Sequence, residues 1–170
     1  MEIALFIVYG TALLFILCYS VVQIQLVVKY KKYKRLLKER LLKRPAMQEL
    51  PLITVQLPLF NEQYVVARLV DAMAQLDYPK EKLEIQVLDD STDETLEIIK
   101  QKVEEWKSKG IDIVQICRTD RSGFKAGALA EGLKEAKGEF LAIFDADFLP
   151  NQDFLKKTVA QFTDKNIGMV

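Results

Sequence analysis

The stretch LITVQL, residues 52–57, is a short run of aliphatic and β-branched side chains closed by Pro58, and it reads as a buried strand. Downstream of it the pattern changes period. Residues 62–76 carry Val65, Val66, Leu69, Val70, Met73 and Leu76 at helical spacing, interrupted by Pro79. A second strand, LEIQVL, follows at residues 83–88. The next helix, 93–109, puts Leu96, Ile99, Val103 and Trp106 on one face and ends at Gly110. A third strand over 111–116, a helix over 125–136 and a fourth strand FLAIF over 140–144 continue the series. Residues 153–162 form one more helix, and 167–170 read as the start of a fifth strand. Apolar strands alternating with amphipathic helices predict an α/β fold with a doubly wound, mostly parallel sheet.

Ligands of such sheets bind beyond the carboxyl ends of the strands, so those ends carry the chemistry. After the first strand comes Pro58-Leu59-Phe60-Asn61-Glu62, after the second Asp89-Asp90-Ser91-Thr92-Asp93, and after the fourth Asp145-Ala146-Asp147. Two carboxylates one residue apart on a bending segment suit a hard cation, Mg²⁺ or Mn²⁺, shared with phosphate oxygens. Asp93 fits a plainer task, capping the helix that follows. In Ser122-Gly123-Phe124-Lys125-Ala126-Gly127-Ala128 the small residues allow close backbone approach at a helix start, and Lys125 adds a positive charge for an anion.

Upstream the composition is different. No charged residue occurs between Ile3 and Val28, and at about 1.5 Å per residue a helix there exceeds the roughly 30 Å of a bilayer core. Residues 1–28 are therefore expected to be a transmembrane helix. Positive charge follows the run rather than preceding it, which is the wrong order for a cleaved signal peptide. Nine Lys or Arg lie between Lys29 and Arg44 against the single acid Glu39, a basic juxtamembrane linker over 29–50. Such a stretch stays on the cytoplasmic face and is attracted to anionic headgroups, which predicts an integral membrane protein with its N-terminus outside and the domain over 51–170 in the cytoplasm. The lipid bilayer accounts for the basic stripe, and nucleic acid is not expected as a partner.

Several classes are excluded. The sequence has no histidine, so neither a Ser-His-Asp triad nor a His-ligated zinc site can be built. No GxGxxG follows the first strand, and no GxxxxGK[ST] occurs anywhere. Two cysteines, Cys18 in the apolar run and Cys117 in the domain, fit a reducing compartment.

The segments PLFNE, VLDDSTDET, RSGFKAGALAEGL and AIFDADF occur in an order and at a spacing that resemble family 2 glycosyltransferases of the GT-A fold, and within them the cellulose-synthase-like mannan and glucan synthase branch. The resemblance covers residues 52–170. It implies that Pro58, Asn61 and Glu62 line a nucleotide pocket, that Asp89 and Asp90 contact the base or ribose, and that Lys125 approaches the diphosphate. It implies further that Asp145 and Asp147 hold Mn²⁺ or Mg²⁺, with Asp147 the more direct ligand. The donor would be a UDP- or GDP-hexose, the reaction inverting, and the acceptor a polysaccharide or, alternatively, a lipid. The general base of the family lies in a TED-like motif, expected beyond Val170, so these residues are expected to form the N-terminal, donor-binding part of the enzyme. A phosphohydrolase using Asp145 as nucleophile would place its acid pair on the first strand instead of the fourth. A non-catalytic nucleotide-sugar-binding membrane protein is the remaining alternative.

Overall fold

The computed structural model describes residues 2–42, 49–162 and 167–170. The chain forms two units, Met1–Pro45 and Ala46–Val170.

The first unit contains one helix, α1 (Glu2–Leu42), long and apolar enough over Glu2–Lys34 to cross a membrane. Its apolar side chains, from Ile3 to Val28, are exposed. The hydroxyls of Thr11 and Ser20 donate back to carbonyls of the preceding turn, at 2.8 Å to Val8 O and 2.8 Å to Ile16 O. Two polar groups in an otherwise apolar run are thereby satisfied within the helix itself. The helix does not stop where the charges begin. The basic stretch expected to be a linker continues the helix to Leu42, while Lys43 and Arg44 lie outside the described residues.

The second unit is a four-stranded parallel sheet in the order β3-β2-β1-β4. Its strands are β1 (Ile53–Leu59), β2 (Leu83–Asp89), β3 (Asp112–Cys117) and β4 (Phe140–Ile143), linked by α2 (Val66–Ala74), α3 (Thr95–Ser108) and α4 (Phe124–Glu135). A last short helix, α5 (Phe154–Val159), follows β4. The chain moves outward from β1 to β2 and β3, then returns beneath α4 to place β4 on the other side of β1. The winding direction reverses between β1 and β4, and the crevice of such a sheet opens at that reversal, past the carboxyl ends of the two strands.

Pro58 does not end the first strand. β1 runs on to Leu59, with Pro58 paired in register with Leu88. The carbonyl of Gln56 accepts from Phe144 N at 3.2 Å, so residues of that parity turn their backbone groups towards β4. The β1–β4 ladder ends at Gln56 and Ile143, so the missing N–H of Pro58 faces a side with no ladder to break.

The two faces of the sheet differ in chemistry. Ile53, Val55, Leu57, Ile85, Val87 and Ile113 pack into one apolar cluster with Val66, Leu69 and Met73 of α2, Ile99 and Val103 of α3, and Leu155 and Val159 of α5. The face under α4 is polar yet buried. There Thr54 Oγ1 donates to Glu84 Oε2 at 2.6 Å, and Gln56 Nε2 donates to Gln86 Oε1 at 2.9 Å. Lys137 N also donates to Glu84 Oε2, at 2.9 Å, and Gly138 N to Thr54 Oγ1 at 2.8 Å. Leu88, Val114 and Ile116 share this face in register, while the middle of the two inner strands is polar on it. Low-dielectric burial of such groups is tolerated because they are matched to one another. Gln86 Nε2 is the exception, buried without a hydrogen-bond partner.

Two further expectations are corrected. Leu96 is exposed, and Thr95 takes the buried position at the start of α3, in line with Ile99, Val103 and the partly buried Trp106. The indole of Trp106 is a polar bridge as well as packing, since its Nε1 donates to Asp71 Oδ1 of α2 at 2.8 Å. Residues 167–170 form no strand, and Met169 and Val170 are exposed. No ladder pairs with them among the described residues, and extended chain without a partner has nothing to fix it as a strand.

Tyr78 supplies a pH test of the fold. Its hydroxyl donates to Pro51 O at 2.7 Å, and burial pushes the phenol up to about 12. The folded state thus keeps a proton that the unfolded state releases near pH 10. Stability should be fully present below pH 10 and fall as the pH rises towards 12. Tyr78→Phe should flatten this alkaline limb in denaturant melts taken across that range; an unchanged slope would show that Tyr78 ionises freely in the fold.

Candidate functional site

The cleft at the reversal point has a volume of about 560 Å³. One wall is the end of β1 with the loop after it. Pro58, Leu59, Phe60 and Glu62 face the cavity, but Asn61 does not. Asn61 takes a left-handed conformation, φ 57°, which Asn tolerates better than most residues. This turns its side chain to the loop after β2, where Oδ1 accepts from Thr92 N at 2.9 Å, while Asn61 N donates to Ser91 Oγ at 2.9 Å. Asn61 is a stitch between two loops rather than a lining residue.

The adjacent aspartates divide in the same way. Asp89 is buried, its Oδ1 accepting from Ser91 N at 2.9 Å and its Oδ2 from Gln115 Nε2 at 2.8 Å. It shapes the turn from behind. Asp90 is the one that reaches the cleft. Its carboxylate is gripped by Arg118, from Nε to Oδ1 at 2.9 Å and from Nη2 to Oδ2 at 2.5 Å. Hydrogen bonding to Asp90 in turn raises the Arg118 guanidinium above its usual range. Asp93 stands one residue before the cap expected of it: Glu94 is the N-cap of α3, without a side-chain cap bond, and Asp93 Oδ1 accepts from Thr95 N at 3.0 Å.

The floor belongs to the loop between β3 and α4. Asp120 Oδ1 accepts from Ser122 N at 2.9 Å, and this bonding to Ser122 holds the Asp120 carboxyl below its usual range. Arg121 lays its guanidinium over the Phe60 ring, 3.2 Å from the centroid, and brings Nε within 3.9 Å of Asp90 Oδ2. Gly123 (φ 72°) and Phe124 (φ 48°) then pass through left-handed conformations in succession, aiming the start of α4 at the cleft. Lys125, in the first turn, forms an ion pair with Asp145.

Asp145 and Asp147 stand at the end of β4, both exposed and both lining the cleft. A turn between them is closed by Phe148 N donating to Asp145 O at 3.1 Å. Behind it Phe148 stacks on Phe144 with centroids 5.7 Å apart, and Phe154 meets Phe144 edge-on at 5.4 Å, which fixes the loop on the core. Among the described residues no group of three or more His, Cys, Asp or Glu side chains could enclose a metal ion. Two hard oxygen ligands on one side of an open cleft still fit Mn²⁺ or Mg²⁺, which ordinarily take one or two carboxylates and complete their shell from phosphate and water. They do not fit zinc, which wants a closed set of nitrogen and sulfur ligands.

Six of the residues singled out from sequence thus meet in one cavity: Pro58, Glu62, Asp90, Lys125, Asp145 and Asp147. Asn61 and Asp89 hold its walls. Sequence reasoning gave no role to Phe60, Arg118 or Arg121. Both arginines lie just past the third strand, and a search of that strand end for charge of either sign finds them.

The family model for glycosyl transferase family 2 matches residues 54–170. Glucomannan 4-beta-mannosyltransferase 1 of Oryza sativa subsp. japonica is 43% identical over 113 residues, covering 64% of this chain. This chain spans only 22% of that relative's length. Among solved structures, a mannosyltransferase from Pyrobaculum calidifontis in complex with GDP-Man and Mn²⁺ superposes with a TM-score of 0.67 at 32% identity, over 84% of this chain and 41% of that one. TarS of S. aureus in complex with UDP-GlcNAc gives a TM-score of 0.54 at 30% identity, over 65% and 31%.

Proposed function

Because the chain belongs to glycosyl transferase family 2, we propose that its folded unit binds a nucleoside-diphosphate hexose and presents the sugar for transfer to a polysaccharide acceptor. The observation that carries the reading is the meeting of Asp145, Asp147 and Lys125 in one cleft with Asp90 at its other wall. A nucleotide diphosphate has a base to be read and a charged tail to be neutralised, and the cleft offers an acceptor at one side and a cation and two carboxylates at the other. GDP-mannose is the donor this reading favours, since the Pyrobaculum calidifontis mannosyltransferase of similar fold is in complex with GDP-Man and Mn²⁺.

Each residue has a part in this reading. Asp90, held in place by two hydrogen bonds from Arg118, accepts hydrogen bonds from the base or ribose. Glu62 and Pro58 close the wall next to it. Lys125 would leave Asp145 for the diphosphate when the donor enters, and Asp145 and Asp147 would hold a divalent cation beside it. That cation would stabilise the nucleotide as it departs while an acceptor hydroxyl attacks the anomeric carbon from the opposite face, which inverts the configuration.

Titrating GDP and UDP into the detergent-solubilised chain, with and without Mn²⁺, tests the donor assignment. Binding of one nucleotide that requires Mn²⁺ is expected, with GDP the tighter. A folded protein that binds neither would refute the reading.

We also propose that α1 anchors this unit to a bilayer, with the basic stretch from Lys29 on the cytoplasmic side. The exposure of its apolar side chains and the charge asymmetry at its two ends support this. An epitope fused at Met1 should be protected from protease added on the cytoplasmic face, and one fused at Val170 should be cleaved. The opposite pattern would reverse the orientation.

A further inference from the structure

We propose that Arg118 is a positioning residue that sets both ends of the donor cleft without touching the donor. The inference rests on the cleft being the nucleotide-sugar site. Four hydrogen bonds leave this guanidinium, and all of them stay inside the protein. Nε and Nη2 hold the two oxygens of Asp90, at 2.9 and 2.5 Å. Nη1 donates to Ser122 O at 3.0 Å and Nη2 to Phe124 O at 3.0 Å. An arginine offers five N–H donors in a rigid plane, so little is left for a ligand. The side chain is 11% exposed and that of Asp90 only 6%, whereas Arg121 is 41% exposed and lines the cavity. Of the two arginines, one faces the donor and the other faces inward.

What Arg118 holds are two features that would not hold themselves. A carboxylate as buried as that of Asp90 is costly to leave unpaired, and Arg118 supplies its partner. The left-handed Gly123-Phe124 step is costly for a phenylalanine, and the Phe124 side chain, 68% exposed, is not pinned by packing. The carbonyls of Ser122 and Phe124 are instead fastened to the guanidinium plane, and Lys125 follows directly. One side chain therefore fixes the acceptor at the base end and the aim of the cation at the phosphate end. Lysine cannot replace it, because a single ammonium does not span a carboxylate and two carbonyls in one plane.

The test uses the full chain in detergent, with Arg118→Lys, Arg118→Met, Asp90→Asn and the double variant Asp90→Asn/Arg118→Met. Mn²⁺-supported binding of GDP, UDP and inorganic pyrophosphate is measured by calorimetry, and susceptibility to trypsin at Arg121 and Lys125 is followed in parallel. Removing a charged hydrogen-bonding partner should weaken nucleotide binding by about tenfold or more in both Arg118 variants, including the one that keeps the charge. Pyrophosphate binding should weaken less in Arg118→Lys than nucleotide binding does. The double variant should bind nucleotide no worse than Arg118→Met, since without the arginine Asp90 is already out of place. Losses that add in the double variant would mean that Asp90 serves the donor equally well without Arg118, and wild-type affinity in both Arg118 variants would mean that it positions nothing; either result overturns the proposal. If the wild-type chain binds no nucleotide, the donor reading fails on its own account. Trypsin then decides the positioning: faster cleavage in Arg118→Met supports it and an unchanged rate refutes it.

Discussion

Asp147→Ala should lower Mn²⁺-supported nucleotide affinity by more than about a hundredfold, because even groups one step removed from a bound metal are worth about 10–100-fold in affinity. Asp147 is exposed, sits in the turn beyond β4 and lines the cleft. Its loss removes no packing, so the melting curve should stay within about 0.5 kcal/mol of wild type. Asp145 differs because it also pairs with Lys125. Asp145→Ala removes a ligand and frees a lysine for the diphosphate at the same time, so its loss of affinity should be the smaller. Calorimetric titrations with and without Mn²⁺ read both effects. Equal weakening in the presence and absence of Mn²⁺ would mean that Asp147 contacts the nucleotide directly and that the metal lies elsewhere.

Gly138→Val should cost about 3 kcal/mol of folding stability, at the upper end of what overpacking a tight contact costs. Gly138 lies between α4 and β4, against the central strand. A Cβ there would stand 2.7 Å from Thr54 Oγ1 and 2.8 Å from Ile53 C, and would press on Thr54 N. The obstacle is largely backbone, which cannot rotate aside as a side chain end can. The hydrogen bond from Gly138 N to Thr54 Oγ1 would be broken by the same displacement. Gly168→Val is the control, since nothing lies within 4 Å of that position. Urea unfolding of the two variants should separate them widely, and matching midpoints would show that the β1–β4 junction yields more easily than its geometry implies.

The sheet was legible because the alternation of strand and helix survives in hydrophobic periodicity, and the acids at the strand ends followed from the fold. What periodicity cannot distinguish is apolar burial from polar burial. LITVQL and LEIQVL look like solvent-facing alternation or buried strands equally well, and only the arrival of α4 makes Thr54, Gln56, Glu84 and Gln86 interior. Pro58 was read as a terminator because the side it faced could not be known before β4 was placed. Asn61 and Asp89 belong to the same motifs as Glu62 and Asp90, and the alternation that sends one member of each pair inward depends on turn geometry rather than composition. Arg118 and Arg121 carry no signal in a search for acids at strand ends, yet Arg118 grips Asp90 and Arg121 covers Phe60.

The polar layer beneath α4 has a consequence for how the molecule breathes. Lifting α2 or α3 from the sheet would bare aliphatic side chains to water, which costs about 25 cal/mol for each Å² exposed. Lifting α4 would bare Leu88, but also hydroxyl, amide and carboxylate groups that water can serve almost as well as they serve one another. Partial opening of this unit should therefore begin at α4, at a fraction of the global unfolding free energy. The helix that carries Lys125 is thus seated on the more polar face of the sheet, where Leu88 is the buried aliphatic contact beneath Gly132, and detaching it exposes less aliphatic surface than lifting α2 or α3.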